Sequence, residues 1–97
     1  GDNITIFRTD VDITVQEVIA VSTGTTPSTT YTIRHGSDRS TTGNLLVVSA
    51  VTTSTTTGDS ATLSDTTIPA DSWIWFICSA GSGTNVYLSI DIRYTED

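Results

Sequence analysis

One histidine, one cysteine and no lysine make up the stock of near-neutral bases and soft nucleophiles in this 97-residue chain. His35 stands in "IRHGSDRS" with Ser37 and Asp38 close behind it, so the residue types of a nucleophile, a base and an orienting acid all occur within one short stretch. A catalytic triad is a set of spatial roles, and side chains this close along one loop cannot point at one another to fill them. "SAGSG" (79–83) lacks the G-x-S-x-G spacing and the following helix that would lift a nucleophilic serine out of a sheet. His35 therefore reads as a polar strand-end residue, and with so few general bases the chain reads as not an enzyme.

Two other polar groupings could hold a ligand. Asp10 and Asp12 in "TDVDIT" fall on one side of an extended segment, and calcium favours clustered oxygens. With no glycine turn and no third acid beside them they read as a solvated strand start, and no metal or other cofactor is expected. "RHGSDR" (34–39) is the densest polar cluster, and Arg34, His35, Asp38 and Arg39 could form a polar binding loop in which the arginines grip a carboxylate or phosphate. The competing reading is internal, with Asp38 paired to an arginine to tidy the turn after Ile33.

The elements that position these residues are strands. Charged residues are 15% of the chain and apolar ones 36%, while Thr (21) and Ser (12) supply a third of it. Threonine is β-branched and suits a half-exposed pleated surface. "NVYLSIDIRYTED" alternates Val86, Leu88, Ile90, Ile92 and Tyr94 with polar neighbours, which marks one buried face. "SAGSGTN" (79–85) just upstream predicts the loop of a hairpin joining that strand to "SWIWFIC". "DITVQEVIAVST" (12–23) alternates too, but Glu17 interrupts its apolar face, which predicts a bulge near Gln16 to Val18. "TTYTIRH" (29–35) alternates, and "NLLVVSAV" (44–51) is a continuous apolar run that suits a strand covered on both faces. "NITIF" (3–7) and "SATLSDTTI" (60–68) are weaker candidates. "TGTTPS", "GSDRSTTG" and "TTSTTTGDS" carry turn chemistry.

The expected fold is all-β: one domain over residues 1–97, a small antiparallel β-sandwich of jelly-roll or Ig-like type with about seven to eight strands and no helix. A chain this short buries only roughly 60–65% of its unfolded surface, so association would add needed stability. A net charge of −7 opposes binding to nucleic acid or an anionic membrane. No apolar run approaches the roughly 20 residues of a spanning helix, and the N-terminal segment lacks a basic then apolar signal, so a soluble chain is expected. Cys78 is alone and sits in an apolar run, where it reads as a small buried hydrophobe.

The two tryptophans are the most specific feature. In an extended strand Trp73, Trp75 and Ile77 share one face, and Ile74, Phe76 and Cys78 share the other. Both faces are apolar. Isoleucine and cysteine are among the most fully buried residue types, which assigns the second face to the core and turns the tryptophans outward, with Tyr87 nearby. Trp73, Trp75, Ile77 and Tyr87 thus form an expected protein interface. The same pair could instead stack sugars, or be core.

The stretch from "YTIRHGSDRS" through "VTTSTTTGDSATL" and "TIPADSWIWFICSAGSGTN" to the terminal "TED", about residues 31–97, resembles a family of small structural proteins of tailed bacteriophages. The likeness is carried mainly by Ile68, Pro69, Ala70, Trp75, Ser82, Gly83, Thr84, Glu96 and Asp97. Cys78 and the aromatic density of "WIWF" are not part of it. The resemblance implies a β-sandwich assembled in the host cytoplasm and carried on the capsid exterior of the virion: a decoration or cement protein, commonly a homo-trimer, that binds the major capsid protein and locks shell subunits together. The alternative is a receptor- or glycan-binding module of a head or tail fibre.

Overall fold

A computed structural model describes residues 3–97. It contains six strands and, among the described residues, no helix: β1 (Asn3–Thr9), β2 (Ile13–Gly36), β3 (Asn44–Thr52), β4 (Asp59–Ser60), β5 (Thr67–Ile68) and β6 (Ser72–Glu96). They form one antiparallel sheet in the order β1-β6-β2-β3, with β4 and β5 also paired to β2.

Two strands dominate. β2 has 24 residues and β6 has 25. A 24-residue strand drawn out straight would span about 80 Å at roughly 3.3 Å per residue, whereas the longest dimension of the molecule is 39 Å. The β2–β6 ribbon must therefore fold back near its middle. The bend falls where the sequence permits it. Gly24 and Gly83 take positive φ, Thr26 sits at φ 46, Pro27 follows it, and the pairing register shifts on either side of Thr25.

This corrects two sequence expectations. "SAGSGTN" is not a hairpin loop but a bend inside β6, and the tryptophan segment does not pair with the final segment; both pair with β2, as Ile33↔Phe76 and Ile19↔Asp91 record. "TGTTPS" is likewise the matching bend inside β2. Glycine and proline chemistry that ends a strand elsewhere here only turns it, because the partner bends at the same level and pairing resumes beyond. Each long strand supplies a leg to both layers, so the expected seven to eight segments correspond to six continuous strands.

The result is a single sheet curled into a half-barrel, a small β-sandwich-like fold. One layer holds β1, the first half of β6, the second half of β2 and β3. The other holds the second half of β6, the first half of β2, β4 and β5. Ile13, Val15, Val18 and Ala20 from one layer meet Tyr31, Ile33, Leu46, Val47, Ile74 and Phe76 from the other in one buried cluster, with Tyr31 stacked on Phe76 at 5.5 Å. The bulge expected beside Glu17 is present as a register shift between Val15 and Glu17.

One side of the half-barrel is sealed by the segment between β4 and β5. Ala61 and Thr66 bond to Val18 and Val15 of β2, while Ser64 and Asp65 donate to Leu46 and Leu45 of β3. β3 is not covered on both faces as its apolar run suggested. Leu46 and Val47 are buried, but Val48 and Val51 are exposed, because the bulges opposite Ile33 let two consecutive residues turn inward.

Candidate functional site

The tryptophan strand obeys its expected alternation on the core side. Ile74 and Phe76 are buried in the central cluster, and Cys78 is half-buried against it. Trp73, Trp75 and Ile77 lie on the opposite face, but they do not form an exposed pair. Trp75 is only 1% exposed, covered by its own chain. The loop 37–43 folds across it: the Arg39 guanidinium carbon lies 4.6 Å from the ring centroid, and a Cβ added at Gly43 would fall 2.5 Å from Trp75 Cη2. Trp73 and Ile77 are half-buried, and Arg8 lies 5.7 Å over the Trp73 ring while bonding to Asp10 and Asp71. The expectation of a double-indole platform fails at Trp75. Sequence shows which face a side chain takes; it does not show that a loop further along returns to cover it.

The polar loop also divides. His35 points inward, 1% exposed, with Nε2 3.1 Å from the carbonyl of Asp65. Only an N–H can donate to a carbonyl, so Nε2 carries the hydrogen of that contact; Nδ1 is buried without a hydrogen-bond partner among the described residues. Arg34 donates to the carbonyls of Thr42 and Gly43, closing the loop at its far end. Arg39 reaches away to Thr5 and Asn3 on β1. Asp38 pairs with neither arginine among the described residues. It accepts from the backbone N–H and hydroxyl of Ser40, bonds that hold its carboxyl below the ordinary aspartate value. The internal arginine–aspartate pair is thus replaced by a serine turn, and the four residues do not converge on a ligand. Asp10 and Asp12 also part: one binds Arg8, the other accepts from the Ala70 N–H.

A larger concave feature lies elsewhere among the described residues. On the side opposite the sealed one, β1 and the second half of β6 diverge and leave an apolar trough of about 630 Å³. Ile4 and Ile6 form one wall, Val86, Leu88 and Ile90 the other, and Phe76 and Cys78 the floor. Its far end is closed where Phe7 of β1 stacks on Tyr94 of β6, with centroids 5.8 Å apart. Its near end is the Gly81–Gly83 bend. Tyr87 stands at the mouth and is 72% exposed, and Ile4 is 56% exposed. Tyr87 therefore belongs to the trough and not to the tryptophan face.

The trough sits between two strand margins. β1 pairs only with β6 among the described residues, and from Cys78 onward β6 pairs only with β2, so each leaves one edge free. Strand edges are ordinarily guarded by charge or proline. Between Cys78 and Ile90 the β6 edge has neither. Ile4 and Ile6 were visible in sequence only as a weak strand. The clue to their role was the full apolar face of the final strand, which needs an apolar strand opposite it.

No protein-family model, curated protein or solved structure matches the chain.

Proposed function

We propose that the chain is a non-enzymatic structural protein of a tailed-phage head, a decoration or cement subunit whose open side is closed by a neighbouring chain of the assembled shell. The observation that carries this reading is the apolar trough bounded by two free strand edges, of which the β6 edge between Cys78 and Ile90 carries neither charge nor proline. Such a surface is costly in water and suited to burial against protein. Among the described residues its polar lining is hydroxyl and backbone groups. The resemblance of residues 31–97 to small phage structural proteins supplies the setting, and the major capsid protein is the shell component to test first. Burial of the trough would add free energy that exists only in the assembled lattice, so occupancy would stabilise the shell by linkage.

The test is co-sedimentation with purified heads built from the major capsid protein. Saturable pelleting and a raised temperature of head disruption are expected. Heads that neither bind the protein nor gain stability would overturn the proposal, and a saturable shift in tryptophan emission on titration with host polysaccharide would favour the glycan-binding alternative.

A further inference from the structure

We infer that a second, smaller cleft, beneath the 53–58 loop, is a socket for a lysine side chain presented by a partner protein. The inference rests on the assembly reading for its biological setting and adds the chemistry of one contact.

The socket is built on the outer face of the second layer. Val18 and Ala20 of β2 turn into the core, so Ile19 and Val21 face outward, where they stand across the ladder from Asp91 and Ser89 of β6. The 53–58 loop comes over this face and brings Thr56 and Thr57 beside them, which leaves a cleft of about 340 Å³. The loop is tied down by its own bonds. The Ser54 hydroxyl accepts from the backbone N–H groups of Thr56, Thr57 and Gly58, and the Asp59 carboxylate accepts from those of Thr53 and Ser54. Gly58 permits the close approach: its φ is +85, and a Cβ there would fall 2.5 Å from Ile19 Cγ2.

The lining divides by chemistry. Ile19 and Val21 are apolar, while the hydroxyls of Thr56, Thr57 and Ser89 and the carboxylate of Asp91 are acceptors. A lysine matches both parts: its four-carbon stem lies along apolar surface, and its ammonium offers three donors to one carboxylate and the hydroxyl oxygens around it. An arginine matches less well. Its planar fork favours a bidentate carboxylate or an aromatic face, and among the described residues no aromatic side chain lines the cleft.

Charge makes the cation a foreign one. The 97 residues carry −7 and include no lysine. All four arginines are engaged elsewhere: Arg8 with Asp10 and Asp71, Arg34 with the carbonyls of Thr42 and Gly43, Arg39 with Thr5 and Asn3, and Arg93 with Glu17 at 4.0 Å. Among the described residues the Asp91 carboxylate is therefore left without a cation in a cleft that has room for one. A partner's lysine supplies the complementary charge, and the acidic chain as a whole steers it inward.

Titration of the isotope-labelled protein with Nα-acetyl-lysine amide at constant ionic strength, followed by amide NMR shifts, reads the outcome. Saturable shifts centred on residues 19–21, 56–58 and 89–91 are expected, with a dissociation constant on the order of millimolar for one side chain. The uncharged Nε-acetyl analogue should bind wild type about five- to tenfold more weakly, and so should the lysine amide with Asp91→Asn. No saturable shift, shifts centred elsewhere, or equal affinity in Asp91→Asn would overturn the inference. Pelleting with heads separates it from the shell reading. Heads that bind wild type and Asp91→Asn equally would remove the socket and leave the shell reading standing. Lysine amide bound through Asp91 by a protein indifferent to heads would do the reverse.

Discussion

The guanidinium carbon of Arg39 stands 4.6 Å from the Trp75 ring centroid while the group donates to Thr5 and Asn3, so one side chain fastens the 37–43 loop to both β6 and β1. Removing it as Arg39→Ala should cost about 1–2 kcal/mol, from a partly desolvated cation–π contact and the loss of hydrogen bonds to β1. The indole beneath should also become wetter. Urea unfolding with an unchanged slope and a red-shifted tryptophan emission is the expected result; an unshifted emission would mean that the loop covers Trp75 without Arg39.

Gly43 and Gly36 flank the same indole, but only Gly43 should be sensitive to an added methyl. At Gly43 a methyl would lie 2.5 Å from the ring on a backbone at φ +76, so Gly43→Ala combines overpacking with left-handed strain and should cost about 2–4 kcal/mol. At Gly36 the added carbon meets Trp75 at an ordinary 3.6 Å. Gly36→Ala should leave the urea midpoint close to that of wild type.

Truncating the tryptophans separates a covered ring from a half-covered one. Trp75→Ala empties a buried site and should cost about 3–5 kcal/mol. Trp73→Ala should cost about 1–2 kcal/mol, within the range of ordinary substitutions. Equal small losses would restore the expectation that both rings face outward and can be removed with the fold largely intact.

Asp59 gathers the loop after β3, accepting from the backbone N–H groups of Thr53 and Ser54 and the hydroxyl of Thr52. Those bonds hold its carboxyl below the usual 3.8. A folded value lower than the unfolded one means the carboxylate contributes stability above 3.8, and that contribution is lost as pH falls through the folded value. Asp59→Asn should be less stable than wild type at neutral pH and lose less on acidification. Urea midpoints measured from neutral to acid pH check this; parallel curves for the two proteins would contradict it.

Much of the strand content was legible because period two is local. Ile13, Val15, Ile33, Ile74 and Phe76 lie inward as alternation required, and Glu17 marked its bulge. Continuity was not legible. Gly24, Pro27, Gly81 and Gly83 carry turn chemistry whether a strand ends or bends, and only the partner strand decides which. Burial by remote covering was equally hidden, since nothing near Trp75 announces Arg39 and Gly43, and nothing near Leu88 announces Ile4. The trough follows from how far each layer extends, a property of the curled sheet and not of any one segment.

The β2–β6 ribbon also sets the order in which the chain can acquire its structure. Ile13 pairs with Glu96 and Gly36 with Trp73, so nearly every rung of the main ladder joins residues far apart in sequence. Contacts of that kind must close long loops before any stabilisation is returned, which places folding in the slow range of milliseconds to seconds typical of non-local β architectures. During synthesis the first half of the chain has no β6 to pair with. The edge of β2 that pairs with β6 must wait open until the last quarter emerges, and a chaperone that shields it in that interval should raise the yield of native protein more than one acting after release.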